Sequence, residues 1–264
     1  MNISVEQQNF QKKIKRKKIL IFITQIIIGL IFIISWELLS YYEFINSFIF
    51  SSPSKIIKCL IDLINQKNLF NHILVTTNEV LFSFILGSII SFIIAIIFYM
   101  IPTTKKIFDP YLTMLNSLPK VALGPIIIIW MGANSKSIIV MALLINLIVS
   151  LIGFYNGFIN TDEYKIKLLK TLKASKLQLL TKLIIPANLE NIMSTLKLNI
   201  SMSLIGVIMG EFLVSKEGIG YLILYGTQVF NLNLVMTGIF ILIILSFCFY
   251  KTITTIEKII LKKQ

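Results

Sequence analysis

The stretch Leu168–Pro186, LLKTLKASKLQLLTKLIIP, is the core of a polar, lysine-rich insert of about residues 161–186 between two membrane-length apolar segments. Connections between membrane helices are commonly short and shapeless. This one places apolar residues at helical spacing: Ile166, Leu169 and Leu172, then Leu177, Leu180 and Leu183. The spacing predicts an amphipathic helical element, and such an element needs a surface to cover its apolar side. A second protein is the expected surface.

The segments around the insert set the fold class. The chain has 264 residues, 56% hydrophobic and 14% charged, with a mean hydropathy of +0.86. Soluble domains sit near roughly 45–50% apolar and 25% charged. A bilayer core about 30 Å thick takes roughly 20 apolar residues per helix. Six stretches qualify: Leu20–Tyr41, Val80–Ile101, Asp109–Met131, Ser137–Phe158, Asn191–Val214 and Leu234–Tyr250. The expected fold is therefore all-α and integral to the membrane. A basic tail over residues 1–18 precedes a single transmembrane domain over 19–264, with no repeat or low-complexity linker to mark a second one. The first apolar run is long and lacks a small-x-small cleavage site, so it reads as a retained span.

The net charge of +13 is distributed by side. Lys12, Lys13, Lys15, Arg16, Lys17 and Lys18 precede the first span; Lys105 and Lys106 follow the second. Lys165, Lys167, Lys170, Lys173, Lys176 and Lys182 lie in the insert, and Lys251, Lys258, Lys262 and Lys263 near the end. The opposite loops carry only Lys55, Lys58, Lys67, Lys136 and Lys216. The positive-inside rule puts both termini and the insert in the cytosol. Charge so placed is a topology signal and a contact for anionic lipid, not a nucleic-acid surface.

Several chemistries are excluded. No Gly-x-x-x-x-Gly-Lys-Ser/Thr sequence is present to cradle ATP phosphates. No His/Cys/carboxylate cluster has metal-site spacing, and no hydrolase motif occurs. Neither a cofactor nor a catalytic site is expected. Cys59 and Cys248 fall on opposite sides, too far apart for a disulfide. The lone His72 receives no role.

Polar groups within the spans are the remaining candidates. Glu37 and Glu79 lie near span ends, where snorkelling to the interface accounts for them. Glu211 follows a stripe of Asn199, Ser203, Gly206 and Gly210, matched by Ser83, Gly87, Ser91 and Ala95 in the second span. Small residues at this spacing let helices approach closely, within the subunit or across a homodimer seam. Glu211, Asn199 and Ser203 are candidates for pathway or gating roles. Pro119 is a fourth: Val121–Met131 spans only roughly 17 Å as helix, so the third span must extend back to Asp109 with a kink at the proline, facing the interior of the assembly. Ser51-Ser52-Pro53-Ser54 predicts the start of an amphipathic outer helix. Gly218 and Gly220 predict a turn followed by a short helix at the outer face.

The insert resembles the EAA loop of ABC importer permeases, the binding-protein-dependent transport system inner-membrane component family. Ala174-Ser175 stands after the family's glycine position, which here is Lys173; Leu180 and Leu183 match its apolar contacts, and Ile185-Pro186 its closing pair. Lys167-Leu168-Leu169 stands where the family has Glu-Ala-Ala, so the turn between two short helices must form without glycine. Leu118-Pro119-Lys120-Val121-Ala122-Leu123-Gly124-Pro125, Trp130-Met131-Gly132, Ser52-Pro53-Ser54 and Glu217-Gly218-Ile219-Gly220 are similar to the nitrate/sulfonate/taurine-type branch. The resemblance implies a type I importer permease in the bacterial plasma membrane, a homodimer working with two ABC ATPase subunits and an extracytoplasmic substrate-binding protein. It implies ATPase contact for Leu169, Leu172, Lys173, Ala174, Ser175 and Leu177, and anchoring of the loop by Leu180, Leu183 and Pro186. The solute would be a sulfonate, taurine, nitrate or vitamin precursor. A self-contained secondary transporter or a channel is the competing class; the former would show inverted repeats and discontinuous helices in both halves.

Overall fold

The computed structural model describes residues 5–66 and 68–262, with side chains from residue 13 onward. Residues 1–4 of the basic tail, the side chain of Lys12, Lys67 and Lys263 lie outside this description. The described residues are helical, with no strand among them. In order they form α1 (Val5–Tyr41), α2 (Ser47–Phe50), α3 (Pro53–Asn65), α4 (Leu69–Met100), α5 (Pro102–Ser117), α6 (Gly124–Met131), α7 (Ser135–Ile159), α8 (Glu163–Thr171), α9 (Lys176–Leu179), α10 (Ile185–Ala187), α11 (Leu189–Val214), α12 (Ile219–Gln228) and α13 (Leu232–Leu261). Five are long and apolar enough to cross a membrane: α1 from Lys13, α4, α7, α11 and α13.

The third span departs from expectation. It is a broken pair, Pro102–Ser117 and Lys120–Met131, bent by 88° rather than kinked. The cause is local. Pro119 cannot donate a helical hydrogen bond, and its ring drives Leu118 into an extended conformation, φ −68° and ψ 134°. Pro125 then opens α6, where a missing N–H costs nothing. In the single subunit α5 buries no side chain.

The second span also starts earlier than its apolar run, at Leu69. Its first turns carry His72, Thr76 and Glu79, which are polar for reasons given below.

The core is a three-helix seam of α4, α7 and α11. Val80, Ile138, Ala142, Ile200, Leu204 and Val207 pack at its centre, joined by Phe249 and Ile253 of α13. Both small-residue stripes face this seam. Ser83, Ser91, Ala95, Asn199 and Ser203 are fully buried. A Cβ on Gly206 would lie 2.5 Å from the Ala142 Cα, so backbone meets backbone there. The seam's buried asparagine amides donate across helices. Asn146 donates to the Ser83 carbonyl at 3.1 Å and to Ser203 Oγ at 2.7 Å, and Asn199 donates to Ser88 Oγ at 2.8 Å. Replacing Gly206 by Val should therefore wedge α7 from α11 and destabilise the subunit by about 1–3 kcal/mol. A lowered thermal midpoint in detergent, with unchanged membrane insertion, is the measure; an unshifted midpoint would refute the close approach.

Two satellite clusters flank the seam. At one end Phe98, Leu151, Phe154 and Phe158 bury Leu180 and Ile184 of the insert. At the other, Leu69 packs against Ile219, Leu222 and Ile223 of α12, with Leu60 and Leu63 of the outer helix α3. Ser52 caps α3, accepting from the Lys55 N–H at 3.4 Å. Glu37 serves the same helix end: its carboxylate accepts from the Ser54 N–H at 3.0 Å, a contact that snorkelling alone does not describe.

Candidate functional site

The insert folds as two short helices about a tight turn. Asp162 caps α8 by accepting from the Tyr164 N–H at 2.8 Å. The helix ends at Leu172, and Lys173 takes the left-handed conformation, φ 58°. Ala174 N–H then donates to the Leu169 carbonyl at 3.1 Å and Lys173 N–H to the Lys170 carbonyl at 2.9 Å. This is the pairing of a Schellman cap, which normally has glycine where Lys173 stands. Ser175 starts the next helix with a reciprocal capping box. Its Oγ accepts from Gln178 N–H at 3.2 Å, and its own N–H donates to Gln178 Oε1 at 2.8 Å. So Ser175 has a structural duty that spacing alone did not reveal.

The same turn yields a prediction. A left-handed lysine costs roughly 1 kcal/mol relative to glycine. Lys173→Gly should raise the stability of the loop by about that amount, read as slower amide exchange from Leu169 to Gln178. Faster exchange would show that the lysine side chain contributes more than its backbone costs.

Beyond α9 the helix widens over Leu180–Ile184 into a π-type turn. Pro186 explains it: the ring has no N–H and would strike the carbonyl one turn back, and a wider turn relieves the clash. Asn188 donates to Thr161 Oγ1 at 2.6 Å and to the Ile184 carbonyl at 2.8 Å, fastening the two ends of the insert together.

Exposure divides the predicted loop residues. Leu172 is 70% exposed and Leu177 61%, with Leu168 and Tyr164 also bare. Lys173 and Ser175 are exposed, and Leu169 and Ala174 half-buried. Leu180 is buried, at 3%, while Leu183 and Pro186 are half-buried. One set of leucines thus enters the bundle and another stands in the open.

At the far end of the bundle lies a second constellation. Gly218, φ 105°, opens the turn into α12, and the first N–H groups of this helix have no helical acceptors. Three side chains supply them. Gly218 N–H donates to His72 Nδ1 at 3.0 Å, Ile219 N–H to Thr76 Oγ1 at 2.8 Å, and Gly220 N–H to Glu211 Oε2 at 2.5 Å. Thr76 Oγ1 in turn donates a hydrogen bond to Glu211 Oε1 at 2.6 Å. The turn is stapled to both α4 and α11. His72 also stacks on Tyr221 of α12, ring centroids 6.0 Å apart. His72 and Thr76 were missed in the sequence because their partners lie over 140 residues away.

Glu211 is fully buried in this staple, and Glu79 is 5% exposed beside it. The snorkelling account of Glu79 therefore fails: helix packing holds the carboxyl inside the bundle. Asn199 and Ser203 lie in the helix seam, and Pro119 is exposed at the break between α5 and α6. A separate cavity of about 270 Å³ opens between α4, α5 and α7, lined by Phe98, Lys105, Asn116, Tyr155 and Asn156, with Asp109 ion-paired to Lys105.

These features are those of a membrane permease, and the chain belongs to the binding-protein-dependent transport system inner membrane component family, whose model matches residues 84–262. Its relatives within the family include permeases named for aliphatic sulfonates, taurine and formylaminopyrimidine. It is 29% identical to a protein of Haemophilus influenzae described as a probable ABC transporter permease protein, over 86% of this chain and 92% of that one. It is 27% identical to the aliphatic sulfonates transport permease protein SsuC of Bacillus subtilis, over 78% and 75%. It is 26% identical to the formylaminopyrimidine transport permease protein ThiX of Halalkalibacterium halodurans, over 82% and 88%. The fold matches the MetNI methionine ABC transporter in an inward-facing conformation, TM-score 0.64 at 15% identity, over 74% of this chain and 97% of that one. The protein is a permease component of an ABC importer with the type I fold.

Proposed function

We propose that this chain forms the translocation pathway for a small organic solute handed over by an extracytoplasmic binding protein, and that a separate ABC ATPase drives it. The observation that carries the reading is the insert: a capped helix–turn–helix, anchored in the bundle by Leu180 and Ile184, that leaves Leu172 and Leu177 bare. Apolar side chains held rigidly in the open suit a groove on a partner. ATP-driven closure of two ATPases would press on the two inserts of a permease dimer and rock the spans. The basic residues on the insert's side support a cytosolic position for it and for both termini. The stapled Gly218–Gly220 turn then lies on the outer face, where the binding protein docks. Names of the relatives support two solute classes, sulfonates and pyrimidine precursors.

Reconstitution tests this. The chain, its genetically neighbouring ATPase and its binding protein are placed in liposomes, and uptake of labelled taurine and formylaminopyrimidine is followed. Accumulation that requires both ATP and the binding protein supports the reading. Uptake driven by an ion gradient without the ATPase would replace it with a secondary transporter.

A further inference from the structure

The staple accounts for every oxygen of Glu211 but leaves Glu79 unexplained. Neither carboxyl oxygen of Glu79 has a hydrogen-bond partner, although the residue is 95% removed from solvent by its 5% exposure. Its polar neighbours are Ser135 and the Glu211 carboxyl. Two buried carboxyl groups facing one another cannot both stay charged without a compensating positive charge. The surrounding elements do not supply one. On α4 the nearby titratable group is His72, engaged with Gly218. On α7 only the helix start at Ser135 approaches, worth about half a charge. Lys216 and Glu217 line a crevice outside Ser135, and no ion pair reaches either carboxyl among the described residues.

We propose that Glu79 and Glu211 together hold one small monocation, a proton or a sodium-sized alkali ion, at the joint between α4, α11 and the Gly218–Gly220 turn. Both sources share a chemistry: a single positive charge bridging two carboxyl oxygens, with Ser135 Oγ as a third oxygen for an alkali ion. A calcium ion would want six to eight oxygens, and no group of three or more His, Cys, Asp or Glu exists here among the described residues. Loading the site removes the repulsion that pushes α4 from α11, so it fastens the outer turn. The inference rests on this subunit alone and stands apart from the proposed function.

The test is thermal unfolding of the whole chain in lipid nanodiscs at constant ionic strength, needing neither ATPase nor solute. The midpoint should rise by about 3 °C or more in one of two arms. A rise when sodium chloride replaces choline chloride at fixed pH identifies the alkali ion. A rise when pH is lowered in choline chloride identifies the proton. Glu79→Gln, whose amide donates to Glu211 and carries no charge, should abolish that response. Equal responses in native and variant chains, or none in the native chain, would overturn the proposal. Should the variant not fold, infrared spectra of the native chain decide. A carboxylic acid band persisting in choline at neutral pH, or a carboxylate band that shifts on adding sodium, supports the site; bands insensitive to both overturn it.

Discussion

A chain carrying Leu172→Asp and Ala174→Asp is expected to insert and fold as the native chain does, yet to lose its ATPase on co-purification and ATP-driven uptake with it. Leu172 is 70% exposed in the subunit, so a carboxylate there is hydrated and costs little before assembly. Ala174 sits just past the left-handed Lys173 and makes its cap through backbone alone, so replacing its half-buried methyl leaves the cap's hydrogen bonds in place. The cost arises only in the complex. An unpaired carboxylate pressed into an apolar groove loses its water, on the order of 3 kcal/mol or more, about a hundredfold in affinity. Pull-down of the ATPase from detergent extracts reads the first effect and reconstituted uptake the second. If the doubly substituted chain keeps its ATPase at native stoichiometry, the insert does not make the contact. The bare leucines would then serve another surface.

The difference between what was and was not legible in the sequence has a physical pattern. Local periodic features were readable. The leucine spacing gave the insert its helices, Ser52-Pro53-Ser54 gave α3 its start, and the small-residue stripes gave the packed faces of α4 and α11. Each is a relation within a few residues, where helix geometry fixes what is near what. Features that depend on distant partners were not. Thr76 and His72 look like a polar approach to a span, because an apolar-run reading begins where polarity ends. They belong to α4 because the α12 turn, over 140 residues later, needs their oxygen and nitrogen atoms. Asn146 in α7 was silent for the same reason: its partners Ser83 and Ser203 lie on two other helices. At Pro119 sequence predicted a bend but not its size. A missing hydrogen bond permits any angle, and the neighbours choose 88°. At Lys173 the pattern lacked glycine, and the backbone still closed the same cap.

Gly218→Ala is expected to lower uptake at least tenfold while leaving insertion and ATPase binding intact, because it strikes the outer staple twice. The position has φ 105°, a conformation that side chains with a Cβ hold only at a cost of about 1–3 kcal/mol. The added methyl would also overlap the Glu211 carboxylate, which sits against the Gly218 Cα. Glu211 must then move, and its hydrogen bonds from Thr76 and Gly220 lengthen together. Hydrogen bonds of this kind contribute about 0.5–1.5 kcal/mol each, and more where the acceptor is charged. Glu211→Gln isolates the second effect from the first. Both native donors point at carboxylate oxygens, and glutamine offers one oxygen and one N–H₂. With that oxygen kept for the Gly220 N–H, the N–H₂ faces Thr76, whose hydroxyl must turn from donor to acceptor and lose its own acceptor. Its uptake should fall by less than that of Gly218→Ala but in the same direction, with insertion unaffected. Two chains that insert normally, bind their ATPase and transport at the native rate would show that the turn is mere packing. A fall in both, ordered in this way, would instead show that transport depends on α12 being held to α4 and α11 through one buried carboxylate. The bare leucines of the insert and the staple at the opposite end would then be the two fixed points between which the α4–α7–α11 seam transmits motion.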